Sequence, residues 1–223
     1  MAETFDLEDF DNPPPPPRYL YKYLSAERVG NVLEGGTVRF TPLMNTNDTF
    51  EVRSTFEKLA GPKFLAMLSE HMDVAPMWAH YADNNSGFVV AFDTEHEWFQ
   101  RRKDGQKTRL QKVTYFDGKV EEPLADIQAA LISKTTAWEY EREWRLYVKE
   151  DQVDSIVGDP TDPIHLLNFP PDAVDRVILG PMTREETARR IRDALVARYP
   201  DARLVRAVPN REKHTYEEWI DRR

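Results

Sequence analysis

The 223-residue chain contains no cysteine. That absence removes disulfides, thiolate nucleophiles and cysteine-ligated zinc together, and such usage fits a cytoplasmic location. No run of roughly 18 apolar residues occurs, so neither a membrane-spanning helix nor a membrane partner is expected. The N-terminus is acidic and lacks the basic-then-apolar order of a secretory signal. Positive charge is scarce: 30 Lys and Arg face 39 Asp and Glu, a net charge of −9. That balance argues against a protein that coats nucleic acid through its overall field. A local basic groove stays open, because the C-terminal third holds Arg184, Arg189, Arg190, Arg192 and Arg198. Glycine-rich phosphate loops, dinucleotide fingerprints and nucleophile elbows are absent. His71, His80, His96, His165 and His214 lack short metal-ligand spacing, so no metal is expected.

What is present is an ionic, aromatic-rich chain, 40% hydrophobic and 31% charged, enough for one substantial core. Residues 1–17 combine acidic and aromatic residues with five prolines, and read as a disordered leader with an extended polyproline stretch. Residues 18–223 read as a single globular domain. Tyr19–Leu24 is a strand signal, Ser25 a helix N-cap, and Gly35-Gly36 the stop of a short helix through Leu33. Thr37–Thr41 is a second strand, residues 42–51 a polar loop, and much of 52–72 a helix.

A helical turn is expected over 77–82, then a central strand over 88–92, apolar on both faces. Residues 109–116 read as a strand and 121–136 as a helix. Val174–Leu179 is a strand, and Thr183 caps a helix to Tyr199 whose charges complement its dipole. Leu204–Val208 gives a last strand. Strands come singly and in pairs, which predicts an α+β fold with a mainly antiparallel sheet flanked by helices.

The segment Trp138 to Val148 concentrates chemistry. As an extended strand it puts Glu139, Glu141, Glu143, Arg145 and Tyr147 on one face. Such crowding of acids suits a grip on a polar ligand. Two other readings stand beside it: a solvated edge strand that blocks aggregation, and a helix carrying a Glu141–Arg145 pair. Trp78, Tyr81, Tyr21 and Tyr23 are rings able to stack on a planar ligand, or to fill a core.

Leu20-Tyr21-Lys22-Tyr23, Val38-Arg39-Phe40, Asn47-Asp48-Thr49-Phe50-Glu51 and Met77-Trp78-Ala79-His80-Tyr81 follow one another along the chain. Gly87-Phe88, Val113-Thr114-Tyr115, Lys134 with Trp138, Glu141, Glu143, Trp144 and Arg145, and Val177 to Pro181 complete the order. This combination, over about residues 19–208, resembles the bacterial domain-of-unknown-function family 2971. The family usually carries proline at the position of Thr49 and phenylalanine at that of Thr46.

The layout also resembles the ADP-ribosyltransferase fold. There, a polar residue on the first strand, a tyrosine before a central strand and a glutamate on a later strand form the site. Lys22, Tyr81 and Glu143 stand at those places, with lysine where histidine or arginine is commoner. The resemblance implies NAD as substrate, with a protein, a nucleic acid or water as acceptor. It implies Glu143 and Glu141 as catalytic carboxylates, with Lys22, Tyr23, Arg39, Trp78, Tyr81 and Arg145 holding the nucleotide. The expectation is an NAD-consuming enzyme; the alternatives are a non-enzymatic binding or sensor domain and a metal-dependent nuclease using Asp48, Glu51, Glu141 and Glu143.

Overall fold

A computed structural model of the protein describes residues 13–42, 63–100, 102–103, 106–107, 109–117, 132–149 and 152–220. Residues 1–12 of the leader expected over 1–17, residues 43–51 of the loop expected over 42–51 (Asp48 and Glu51 among them), residues 52–62 of the helix expected within 52–72 and residues 121–131 of the helix expected over 121–136 lie outside these residues.

The fold is α+β, built on a large, mostly antiparallel sheet with few helices. Its strands are β1 (Tyr19–Leu24), β2 (Thr37–Pro42), β3 (Lys63–Ser69), β4 (Phe88–Asp93), β7 (Arg109–Lys112) and β10 (Glu143–Lys149). Further along come β11 (Ser155–Asp159), β12 (Asp162–Asn168), β13 (Val174–Leu179), β14 (Arg203–Asn210) and β15 (Thr215–Ile220). Short pairs β5 (Arg102–Lys103) with β6 (Gln106–Lys107), and β8 (Thr114–Phe116) with β9 (Ser133–Thr135), stand apart. The main path runs β11-β12-β2-β3-β1-β4-β13-β14-β15, with β10 and β7 joined at β3. Only β13 and β14 run parallel within it, and helix α2 (Glu185–Arg198) makes the crossover that this pairing needs. Helix α1 (Ala75–Tyr81) is short. Among the described residues no helix is long and apolar enough to cross a membrane.

Strand alternation sorts the apolar residues onto two faces. Leu20, Leu24, Phe88, Val90, Trp144, Leu146 and Val177 meet Ile191 and Leu195 of α2 in the larger core. On the opposite face Tyr23, Val89, Ile178 and Val205 pack against Met77 and Trp78 of α1. The candidate site lies on that second face.

Several expected elements differ. Residues 63–69 are strand β3 rather than the end of a helix, because Phe64, Leu65, Ala66 and Leu68 are buried in a sheet interior. Residues 133–135 likewise form β9, not helix. The expected strand at 109–116 breaks at Val113 into β7, paired with β10, and β8, paired with β9. Ser25 makes no side-chain cap and precedes only short turns over 26–28 and 30–34. Thr183 does not cap α2 either; its hydroxyl donates to the Gly87 carbonyl at 2.7 Å.

Candidate active site

The acid-rich segment is not one strand. Residues 136–141 form a 3-10 turn, Arg142 is left-handed at φ 43°, and the strand starts at Glu143. The reversal at Arg142 leaves Glu139 exposed, 3.2 Å from Arg142, and turns Glu141 inward beside Glu143. From Glu143 onward the expected alternation holds: Trp144, Leu146 and Val148 enter the larger core, and Glu143, Arg145 and Tyr147 face away from it.

The kink is pinned on every side. Ser69 Oγ donates to the Glu141 carbonyl at 2.7 Å, and the Glu70 amide donates to the Arg142 carbonyl at 3.0 Å. The Glu143 amide donates to the Tyr115 hydroxyl at 2.8 Å, while its carbonyl accepts from the Val113 amide at 2.9 Å. Buried backbone groups need such partners, and here they also fix where two carboxylates point.

Both carboxylates are nearly inaccessible, and Lys134 joins them. Its ammonium, 1% exposed, donates to Glu141 Oε2 at 2.6 Å and to Glu143 Oε2 at 3.0 Å. Arg145, fully buried, donates from Nε to Glu143 Oε1 at 2.8 Å. Tyr81, the last residue of α1, donates its hydroxyl to Glu141 Oε1 at 2.5 Å. Lys134 also lies 4.7 Å from the centre of the Trp138 ring, a cation–π contact.

The two acids are driven apart electrostatically. Burial alone would raise Glu143, but Arg145 and then Lys134 outweigh it and hold its carboxyl at about 2. At Glu141 burial wins, helped by the Glu143 charge, and its carboxyl rises although Lys134 and Tyr81 oppose the shift. Lys134 is raised because the two glutamates overcome its own desolvation.

Above the acids opens a cleft of about 90 Å³, walled by Tyr21, Tyr23, Met67, Met77 and Tyr81, with Lys22, Glu141 and Glu143 in its lining. It forms where β1 and β3 share a single paired position, Tyr21 with Ser69. Lys22 shares its strand face with the core residues Leu20 and Leu24, yet its ammonium reaches the Met67 carbonyl at 2.9 Å. Burial pushes that amine down to about 8, against a weaker pull from Glu143. Cavities of this size hold several waters or one small ring.

Of the sequence-predicted residues, Lys22, Tyr23, Tyr81, Glu141 and Glu143 meet at this cleft. Trp78 does not line it: the ring is fully buried, donates from Nε1 to the Met72 carbonyl at 2.6 Å and packs edge-on against Tyr23. Arg145 lies beneath Glu143 as its ion-pair partner. Arg39 sits on β2, opposite Leu166 of β12, and is not a lining residue. Lys134, Ser69 and Tyr115 were not predicted for the site. A signal for Lys134 existed, since two buried acids need more positive charge than one arginine brings. Among the described residues no group of three or more acidic or histidine side chains is placed to hold a metal.

The family described as "Protein of unknown function (DUF2971)" matches residues 77–146. That stretch carries Tyr81, Lys134, Glu141, Glu143 and Arg145, and the match supports the first resemblance read from the motifs. It lends no support to the ADP-ribosyltransferase resemblance. No curated protein and no solved structure matches the chain.

Proposed function

We propose that this cleft carries out NAD-consuming chemistry of the ADP-ribosyl type, by transfer to a macromolecule or to water, on an ADP-ribosyltransferase-like fold. One observation supports the reading above the others. Lys22, Tyr81 and Glu143, named from three separate stretches of sequence, line a single cleft. Breaking the bond between nicotinamide and ribose makes the sugar electron-poor, and a fixed carboxylate stabilises that charge. Glu143, ionised and clamped, has that role. Tyr81 offers its ring to nicotinamide, and Lys22 faces the diphosphate as a cationic donor. Glu141, whose carboxyl holds its proton more readily, serves as the acid–base partner of the acceptor. A cleft of about 90 Å³ does not enclose a whole dinucleotide, so the nicotinamide end enters it and the remainder extends outward past Lys22.

The test is nicotinamide release from NAD by the purified protein. Wild type is expected to turn over and Glu143→Gln to lose about 10²-fold or more. Equal release from both would remove Glu143 from the mechanism.

A non-enzymatic binding or sensor domain is the second reading, and one observation favours it. All four carboxylate oxygens of Glu141 and Glu143 already have partners. It predicts that NAD or another nucleotide raises the melting temperature without turnover, and that Glu143→Gln weakens the binding.

A further inference from the structure

Lys22 is set apart from the other cations of the cleft. Lys134 and Arg145 are each within 3.0 Å of a carboxylate oxygen. Among the described residues no carboxylate lies within ion-pair distance of Lys22, and its hydrogen bond goes to the neutral Met67 carbonyl. Its surroundings are mostly ring and thioether: Tyr21 and Tyr23 on its own strand, Met67 on β3, Met77 and Tyr81 on α1. The titratable groups that line the cleft with it are Tyr21 and Tyr23 from β1, Tyr81 from α1, Glu141 from the turn and Glu143 from β10, and of these the Glu143 charge acts on its amine. The charges of Lys134 and Arg145 lie behind the two acids.

An amine in such a place is poorly solvated as a cation, which is one way proteins make lysine nucleophilic. We propose that Lys22 is a reactive amine that captures small carbonyl compounds, aldehydes first, as a covalent imine within the cleft. The Nζ lone pair attacks the carbonyl carbon and forms the C–N bond while the C–O π pair moves to oxygen. That oxygen takes up two protons in all and departs as water, while the nitrogen gives up two in exchange, leaving C=N with no net proton gained or lost. No oxidant or reductant enters. The Tyr81–Glu141 hydrogen-bonded pair lines the same cleft and is the proton source for the departing oxygen. The lowered amine value of about 8 leaves Lys22 partly neutral near neutral pH. This proposal stands apart from the NAD reading.

The experiment treats the full chain with propanal and cyanoborohydride, without NAD, and follows each lysine by peptide mass spectrometry. Lys22 is expected to be alkylated roughly tenfold or more faster than the exposed Lys213 near neutral pH. Its rate should climb with pH and level off above about 8. Lys22→Arg, which keeps the positive charge, should abolish the fast modification. Lys22 unmodified, or modified no faster than Lys213, overturns the proposal on wild type alone, whatever the variant does.

Discussion

The hydroxyl of Tyr81 donates a 2.5 Å hydrogen bond to Glu141, tying the end of α1 to the turn before β10. Two elements from distant parts of the chain are thereby held across the cleft, and the ring and the carboxylate are placed together. Tyr81→Phe keeps the ring and removes the hydroxyl, leaving a buried carboxylate oxygen without its donor. Stability should fall by about 1–3 kcal/mol, read from urea unfolding. An unchanged midpoint would show that the bond contributes nothing.

Lys134 is the shared counter-charge of two buried acids. Lys134→Met leaves negative charge stranded out of water, so the expected loss is about 3–5 kcal/mol. Lys134→Arg retains the charge and should lose less. The ordering of these two variants in a denaturation series is the test, and equal losses would point to shape rather than charge.

Acid should weaken the fold through Glu143. Its folded value of about 2 lies below the ordinary 4.5, so the unfolded chain takes up the proton first as pH falls. The stabilisation is whole above about 4.5 and is lost as pH drops towards 2. Glu141 works in the opposite sense, since its raised carboxyl costs stability as pH rises through the carboxylate range. The stability gap between wild type and Glu143→Gln should therefore shrink steadily on acidification. A gap independent of pH would contradict the clamp by Arg145 and Lys134.

Gly87 follows three consecutive left-handed residues, Asp83, Asn84 and Asn85, in the turn from α1 to β4. A Cβ there would come within 2.2 Å of the Leu24 carbonyl oxygen and 2.9 Å of Ala82 backbone atoms. Gly87→Ala must move backbone, and should destabilise by about 1–3 kcal/mol. Because the same turn sets the end of α1, the variant should also change the fluorescence of Trp78. A wild-type melting curve would refute the packing argument.

Much of the sheet was legible because its strands carry clear patterns. Phe88 to Phe92 is apolar on both sides and is buried on both sides. Val174 to Leu179 and the α2 helix likewise follow their apolar spacing. The misreadings have physical causes. Phe64 to Leu68 is a short apolar run, and periodicity alone does not separate a fully buried strand from a helix. At Glu139, Glu141 and Glu143 the period of two mimicked a continuous strand, while the left-handed Arg142 broke it. Non-glycine residues adopt that conformation rarely, so nothing local announced it. At the site, Glu143, Tyr81 and Lys22 follow from residue order, whereas Glu141 was expected from a strand face shared with Glu143 and reaches the site through the turn instead. Lys134 was missed because its place there depends on β8–β9 pairing between segments distant in sequence.

The lone rung between Tyr21 and Ser69 gives the sheet a seam at the point where the cleft opens. Elsewhere, as between β1 and β4, six successive residue pairs knit neighbouring strands together. A guest molecule wedging in beside Tyr21 thus has a single ladder position to disturb. Parting β1 from β3 at that point would undo one rung, while the six-rung ladder to β4 stays whole.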